Sequence, residues 1–164
     1  MKKINKKINN EIIFSISKYL VEKHDIKQST KLQKILYFLY LDYLKQYGKK
    51  LFEDEFEAWV YGPVVRKIFN HMKDNGCIFS LIEDYKTYEL TEIKELDDEG
   101  IKNFIDEDIK KYLSLSPIEL VEKSHDTLPW KETRGELEYD EPSDEVISFE
   151  LIKKFVKSEE FNKL

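Results

Sequence analysis

The residues of this chain that could carry chemistry are three histidines and one cysteine. His24, His71, His125 and Cys77 lie far apart in the sequence, without the short ligand spacings that announce a zinc site. No Cys–His pairing typical of a nucleophile and its base is visible, and the five glycines are scattered, so no glycine-rich phosphate loop forms. We therefore predict that the protein is not an enzyme and that it binds no metal and no cofactor.

The stretch from Glu57 to Val65 is the most informative part of the chain. Trp59 and Tyr61 lead into Gly62-Pro63, and two β-branched valines follow. Glycine adopts backbone angles that other residues resist, and proline suits the first turn of a helix. The pattern predicts an extended approach, a sharp corner and then a helix that starts at Pro63. Such a segment places aromatic surface and carries no nucleophile, which favours a binding role.

A second stretch, from Ser124 to Arg134, combines polar and aromatic residues in a short space. His125 lies just after a predicted helix end, and a Pro129-Trp130 corner precedes Arg134. His125 suits either a capping hydrogen bond or proton transfer, and Trp130 suits either the core or a ligand platform. The sequence leaves both alternatives open.

Helical periodicity supplies the elements that must position these residues. One amphipathic helix is predicted from about residue 8 to 23, and a second, capped by Ser29 or Thr30, runs to a stop at Gly48. The second helix is apolar around much of its girth, so we expect it to be the central one. Further helices are predicted after Asp97-Asp98, from Pro117 within a Ser116–Glu119 capping box, and after Ser143.

One segment reads as strand rather than helix. Residues from Cys77 to Leu90 predict a short β-hairpin, and the polar stretch from Thr133 to Pro142 predicts a loop. The expected fold is mainly α, with five to six helices around the central apolar helix and one small β-hairpin. A helix, a corner, a helix and a hairpin in this order would also suit a winged-helix-like arrangement.

Size and composition indicate one soluble domain over residues 1–164. No apolar run reaches the roughly 20 residues of a membrane span, and no apolar segment follows the basic N-terminus, so neither a membrane protein nor a signal peptide is expected. A single cysteine fits a reducing compartment, and we predict a cytoplasmic protein.

The net charge of −6 hides an asymmetry along the chain. Residues 1–82 hold 15 basic against 9 acidic side chains, whereas residues 83–164 hold 12 against 24. The basic half could attract nucleic acid, and the acidic half could attract a basic protein. The two halves could also simply face each other in the fold.

Three segments occur in order along the chain: Lys31-Leu32-Gln33-Lys34-Ile35-Leu36-Tyr37-Phe38, then Phe56-Glu57-Ala58-Trp59-Val60-Tyr61-Gly62-Pro63-Val64-Val65, then Leu120-Val121-Glu122-Lys123-Ser124-His125 with Pro129-Trp130 and Arg134. Together they resemble the Panacea domain, which is found in SocA-like antitoxins and in phage-associated proteins of the GepA type. The resemblance covers roughly residues 8–135. The remainder, 136–164, is an acidic loop followed by the C-terminal helix.

This resemblance implies an antitoxin of a bacterial or mobile-element toxin–antitoxin pair, which neutralises its cognate toxin by direct protein–protein binding. At least one relative instead delivers its toxin to an AAA+ protease, which is a first alternative. The order of the predicted helices and hairpin gives a second alternative, a winged-helix-like DNA-binding regulator with phosphate contacts from Lys31, Lys34, Arg66, Lys67 and Lys73. The acidic balance of the chain argues against nucleic acid as the partner. The motif positions that the resemblance marks, as partner-binding or structural residues, are Trp59, Tyr61, Gly62, Pro63, Val64, His125, Pro129, Trp130 and Arg134.

Overall fold

The fold is that of a computed structural model, which describes residues 11–74 and 92–164. Helices dominate these residues, as predicted, and a single two-stranded antiparallel hairpin accompanies them. The helices are α1 (Ile12–His24), α2 (Ser29–Tyr47), α3 (Arg66–Asp74), α4 (Glu99–Asp108), α5 (Pro117–His125), α6 (Leu128–Arg134), α7 (Phe149–Val156) and α8 (Glu159–Asn162), with a 3-10 turn at Ile109–Lys111. The strands are β1 (Glu57–Trp59) and β2 (Gly62–Val64).

Helix α2 is the centre of the structure, as its apolar girth predicted. Fourteen of its nineteen residues are buried. It packs against α1, α3, α4, α5, α7 and β2, so most of the described core is arranged around this one helix. The eight helices in the described ranges exceed the expected five to six because α6 and α8, of seven and four residues, are too short to show a period.

The helix ends follow local chemistry in most cases. Gly48 ends α2 with a positive φ of 68°, Asp98 accepts a hydrogen bond from the backbone N–H of Ile101, and Ser116 and Glu119 form the predicted capping box. The predicted cap of α2 was wrong. This helix begins at Ser29, and its N-cap residue, Gln28, makes no side-chain cap.

Two predicted helix starts were also wrong, because tertiary pairing overrides the local signal. Pro63 lies in β2, and α3 begins only at Arg66. Ser143 precedes a further extended stretch, and α7 begins at Phe149 with Ser148 as its cap. In that stretch the N–H of Ala58 donates to the Glu145 carbonyl at 2.9 Å, so the segment pairs with the outer edge of β1.

The hairpin predicted between Cys77 and Leu90 lies outside the described residues, and so does Cys77. Within residues 11–74 and 92–164, no helix is both long and apolar enough to cross a membrane.

The corner between α2 and α3 is occupied by the β1–β2 hairpin rather than by a simple Gly-Pro turn.

A buried pair of carboxyl groups lies where α2 meets the end of α4. Asp42 accepts a hydrogen bond from the Tyr112 hydroxyl, and Lys111 Nζ lies 3.0 Å from Asp108 Oδ1 and 3.7 Å from Asp42 Oδ2. The second oxygen of Asp108 is buried and lacks a hydrogen-bond donor. Burial, together with the neighbouring Asp108, raises the pKa of Asp42 to about 8, so the buried pair holds a proton at neutral pH.

We expect Asp42→Asn to make the free energy of unfolding less dependent on pH between pH 5 and pH 7. The pKa of Asp42 is raised from 3.8 in the folded protein, which therefore binds one more proton than the unfolded chain in this interval. Stability then falls as pH rises, by about 1.4 kcal/mol per pH unit for one fully linked proton. Chemical denaturation at pH 5, 6 and 7 measures this slope.

The matched control is Glu107→Gln, which removes a carboxylate on α4 that is 78% exposed. This variant should keep the slope of the wild-type protein. Equal slopes for the wild type and for Asp42→Asn would contradict the assignment of a proton to the buried pair.

Candidate partner-binding site

The motif around Gly62-Pro63 forms a tight hairpin. β1 and β2 are antiparallel, and Trp59 pairs with Gly62, so Val60 and Tyr61 form the two-residue turn. All three residues of β2 are buried, whereas Tyr61 at the tip is 50% exposed. The hairpin is thus embedded along one strand and presents its turn to solvent.

Side chains of α5 and α6 donate hydrogen bonds to the backbone carbonyls of this hairpin. Three consecutive carbonyls, at the end of β1 and in the turn, are bound by the second motif. Arg134 donates to the Ala58 carbonyl at 3.1 Å, Trp130 Nε1 donates to the Trp59 carbonyl at 2.8 Å, and His125 Nε2 lies 2.8 Å from the Val60 carbonyl. A buried carbonyl without a donor is costly, so these contacts hold the hairpin in place.

The opposite side of the hairpin is bound by α2. Lys34 Nζ donates to the Pro63 carbonyl at 2.8 Å, and the Gln33 amide binds both the N–H and the carbonyl of Val65, at 3.0 and 3.2 Å. Both side chains are fully buried. Burial lowers the pKa of Lys34 to about 7, because a charged ammonium is poorly solvated there.

Gly62 is required by both its backbone angle and its surroundings. Its φ is +103°, a region that residues with a side chain rarely adopt. A Cβ at this position would lie 2.4 Å from Ser124 Oγ and 2.9 Å from Lys34 Cε. The close approach of β2 to α2 and α5 therefore depends on the missing side chain.

His125 is held on all sides in the middle of this cluster. Its ring stacks on Trp130 with the centroids 4.0 Å apart, and its Nδ1 lies 3.0 Å from the Tyr139 hydroxyl. Burial lowers the pKa of His125, which favours the neutral ring. A neutral His125 that donates from Nε2 to Val60 accepts from Tyr139 at Nδ1, so both ring nitrogens are engaged. This arrangement favours the hydrogen-bonding interpretation over proton transfer.

Arg134 connects the hairpin to the acidic loop. Its side chain is 5% exposed, and its guanidinium lies 5.0 Å from the Trp130 ring centroid. Besides the Ala58 carbonyl, it donates to the carbonyls of Glu138 and Glu141. One buried cation thereby fixes the path of a loop that contains no basic residue of its own.

A comparison with models of protein families identifies the domain that contains this arrangement. The family model described as "Antitoxin SocA-like, Panacea domain" matches residues 32–131, from the first turn of α2 into α6. The chain belongs to this SocA-like Panacea family. No curated protein and no solved structure matches the chain.

The Panacea match includes both motifs except Arg134, and the acidic loop lies beyond it. The nine motif positions differ sharply in exposure. Tyr61 is exposed and Trp59 is half-buried, whereas the other predicted site residues are buried: Gly62, Pro63, Val64, His125, Pro129, Trp130 and Arg134. The structure thus brings all nine together, with one of them facing solvent.

The sequence did not predict the structural role of two residues that are central to the cluster. Gln33 and Lys34 lie in the segment from Lys31 to Phe38, but only the fold shows that they bind β2 and Val65. The available signal was a polar pair inside an otherwise apolar helix. The sequence likewise did not distinguish Tyr139 from the other residues of the acidic loop, although its hydroxyl contacts His125.

The other two histidines lie away from the hairpin. His24 Nε2 is 2.8 Å from Asp106, and the His71 ring packs edge-on against Phe14. In the part of the chain that the structure describes, no three His, Cys, Asp or Glu side chains are grouped as metal ligands.

We expect Gly62→Ala to lower the free energy of unfolding by on the order of 3 kcal/mol, because it combines a strained φ with a clash against Ser124 and Lys34. Gly48→Ala is the matched control, since Gly48 also has a positive φ but nothing lies within 4 Å of its missing Cβ. The control should cost only about 1–2 kcal/mol. Equal losses by thermal or chemical denaturation would show that the close packing contributes nothing.

We expect Lys34→Met to change how stability depends on pH between pH 8 and pH 9.5. The pKa of Lys34 is lowered to about 7 in the folded state, so in this interval the unfolded chain binds the additional proton. Stability contributed by this group therefore rises with pH, and the variant should lose that rise. It should also be less stable by about 1–3 kcal/mol, because the Pro63 carbonyl loses its donor.

Lys45→Met, which replaces an exposed lysine on the same helix, provides the comparison. Its stability should follow the wild-type pH profile in the same denaturation experiment. A Lys34→Met profile parallel to that of the wild type would overturn the assignment of a largely neutral Lys34.

Proposed function

We propose that this protein is an antitoxin that neutralises its cognate toxin by direct protein–protein contact. Membership of the SocA-like Panacea family supports the antitoxin role in general. The proposed partner is a toxin encoded beside it on a bacterial chromosome or a phage-associated mobile element. The proposed compartment is the cytoplasm, where such a toxin would be made.

The observation that carries the direct-contact mechanism is the contrast between buried and exposed motif residues. The polar motif residues bind hairpin carbonyls, and Tyr61 projects from the turn that they hold. A rigid scaffold that presents an aromatic tip suits recognition, because little side-chain entropy is lost on binding. We assign the buried residues to the scaffold and Tyr61 to the contact with the toxin.

The proposal needs no catalytic residue. His125, the motif residue best suited to proton transfer, is 7% exposed and uses both ring nitrogens in hydrogen bonds. We therefore infer a binding protein rather than a hydrolase.

A DNA-binding role is less well supported by the same structure. Three of the basic side chains that could contact phosphates are engaged elsewhere: Lys34 is buried on Pro63, Arg66 binds Glu57 at 2.8 Å, and Lys67 lies between Glu11 and Asp54 at 2.6 and 2.7 Å. Neutralised cations contribute little to binding a polyanion. A mobility-shift assay at low salt with the purified protein provides the direct comparison.

Co-expression with the adjacent gene product tests the proposal. Direct neutralisation predicts that growth is rescued and that the two proteins co-purify. Rescue that disappears in a host lacking its AAA+ proteases would show a proteolytic adaptor instead. Absence of rescue with either neighbouring gene product would exclude the antitoxin role.

We expect Tyr61→Ala to weaken toxin binding by about 2 kcal/mol or more while changing the free energy of unfolding by roughly 0.5 kcal/mol or less. The reason is that half of this side chain is in solvent at the tip of a hairpin held by other residues. Calorimetric titration with the co-purified toxin and thermal melting give the two quantities.

Ile118→Ala is the matched control, because Ile118 is a large apolar side chain of similar exposure, 55%. It lies at the start of α5, whereas the end of that helix, at His125, contacts the hairpin. The control variant should leave both quantities unchanged. Unchanged affinity in Tyr61→Ala would remove the hairpin tip from the toxin interface.

A further inference from the structure

A shallow groove lies beside the exposed hairpin tip. It has a volume of about 170 Å³ and is lined by Trp59, Val60, Tyr61, Pro142 and Ser143. Small-molecule sites usually span roughly 300–1,000 Å³, so this groove suits a single side chain rather than a metabolite. One wall belongs to the Panacea hairpin and the other to the loop beyond the family match.

The loop wall is strongly acidic. Pro142-Ser143 is flanked on each side by an Asp–Glu pair, at 140–141 and 144–145. Residues 135–148 contain six carboxylates and no lysine or arginine: Glu136, Glu138, Asp140, Glu141, Asp144 and Glu145. Within the described residues, the ion pairs include only one of the six, Asp144, at 3.7 Å from Arg66.

This wall is held in position rather than free to collapse. Arg134 binds the carbonyls of Glu138 and Glu141, and Tyr139 contacts His125. Farther along, the Ile147 N–H donates to the Phe56 carbonyl at 2.8 Å. Both ends of the loop are therefore attached to the hairpin or to the residue before it. Binding of a partner would not carry the entropy cost of ordering this loop.

The loop that supplies one wall of the groove also carries two exposed apolar side chains. Tyr139 is 65% exposed and Val146 is 45% exposed, and both lie on the same loop. An exposed apolar centre with a charged rim is the usual composition of a protein interface. Its charge is the opposite of what a nucleic acid or an anionic lipid surface would require.

We propose that this surface, defined as the groove together with the loop 135–148, binds a basic segment of the toxin, with one apolar side chain in the groove and Lys or Arg side chains against the rim. The proposal rests on the proposed antitoxin function, for which it specifies the chemistry of the partner. The six carboxylates mainly accelerate association and set partner choice, while the groove supplies the anchor.

The two tryptophans of the chain provide a readout that needs no toxin. Trp59 lines the groove, whereas Trp130 is 6% exposed and donates to the Trp59 carbonyl. In the full-length protein with 15N-labelled tryptophan, a titration with the peptide Arg-Arg-Leu-Arg-Arg should shift the Trp59 indole signal and spare that of Trp130. The peptide Glu-Glu-Leu-Glu-Glu should shift neither signal.

Charge neutralisation tests the same surface with the toxin that co-purifies in the co-expression experiment. Glu141→Gln/Asp144→Asn removes two charges at the groove wall, and Glu107→Gln/Glu122→Gln removes two exposed charges on α4 and α5. At low salt the first variant should associate on the order of tenfold more slowly, and the second within twofold of the wild type. The difference should shrink at about 0.5 M salt, where screening is nearly complete.

The outcomes separate this inference from the antitoxin role. If rescue and co-purification occur but both double variants associate alike, the inference is wrong and the antitoxin function stands. If no toxin is neutralised but the basic peptide shifts Trp59 selectively, the surface stands and the antitoxin function falls. A basic peptide that shifts neither tryptophan, or both equally, would falsify the assigned surface.

Discussion

The structure depends on one constraint, which is that the buried and partly buried carbonyls of a short hairpin must each receive a hydrogen bond. A two-stranded sheet leaves these groups without partners, and here the donors are side chains from three helices. Each buried carbonyl left unpaired would cost about 1–3 kcal/mol. The contacts therefore fix how α2, α5 and α6 lie around the hairpin, beyond what apolar packing alone specifies.

This solution places cations and potential cations inside the protein. Lys34, His125 and Arg134 all surround the hairpin, and burial lowers the pKa of His125, with smaller contributions from Lys34 and Arg134. Carbonyl oxygens solvate these groups in place of carboxylates, which keeps the hydrogen-bonding geometry without forming buried ion pairs. Arg134 connects this interior to the acidic loop, because it donates to the Ala58 carbonyl and to the carbonyls of Glu138 and Glu141.

This arrangement separates the scaffold from the proposed recognition surface. The residues that hold the hairpin are buried, so changes there affect stability, whereas Tyr61, Tyr139 and the rim carboxylates are in solvent. Exposed side chains of this kind can change at little cost in stability. The family match ends at residue 131, so the loop of this proposed surface lies outside the matched range, whereas most of the hairpin cluster lies within it.

Several elements were determined by sequence alone, because their signals are local. Examples are the apolar girth of α2, the positive φ at Gly48 and the Ser116–Glu119 capping box. Only the tertiary structure decided that Pro63 lies in a strand, that residues 145–147 pair with β1, and that Gln33 and Lys34 bind the hairpin. These features depend on hydrogen bonds between residues about 30 to 90 positions apart. A local pattern cannot encode such partners, because a glycine–proline corner is equally compatible with a helix start and with a strand until a distant side chain supplies the donor.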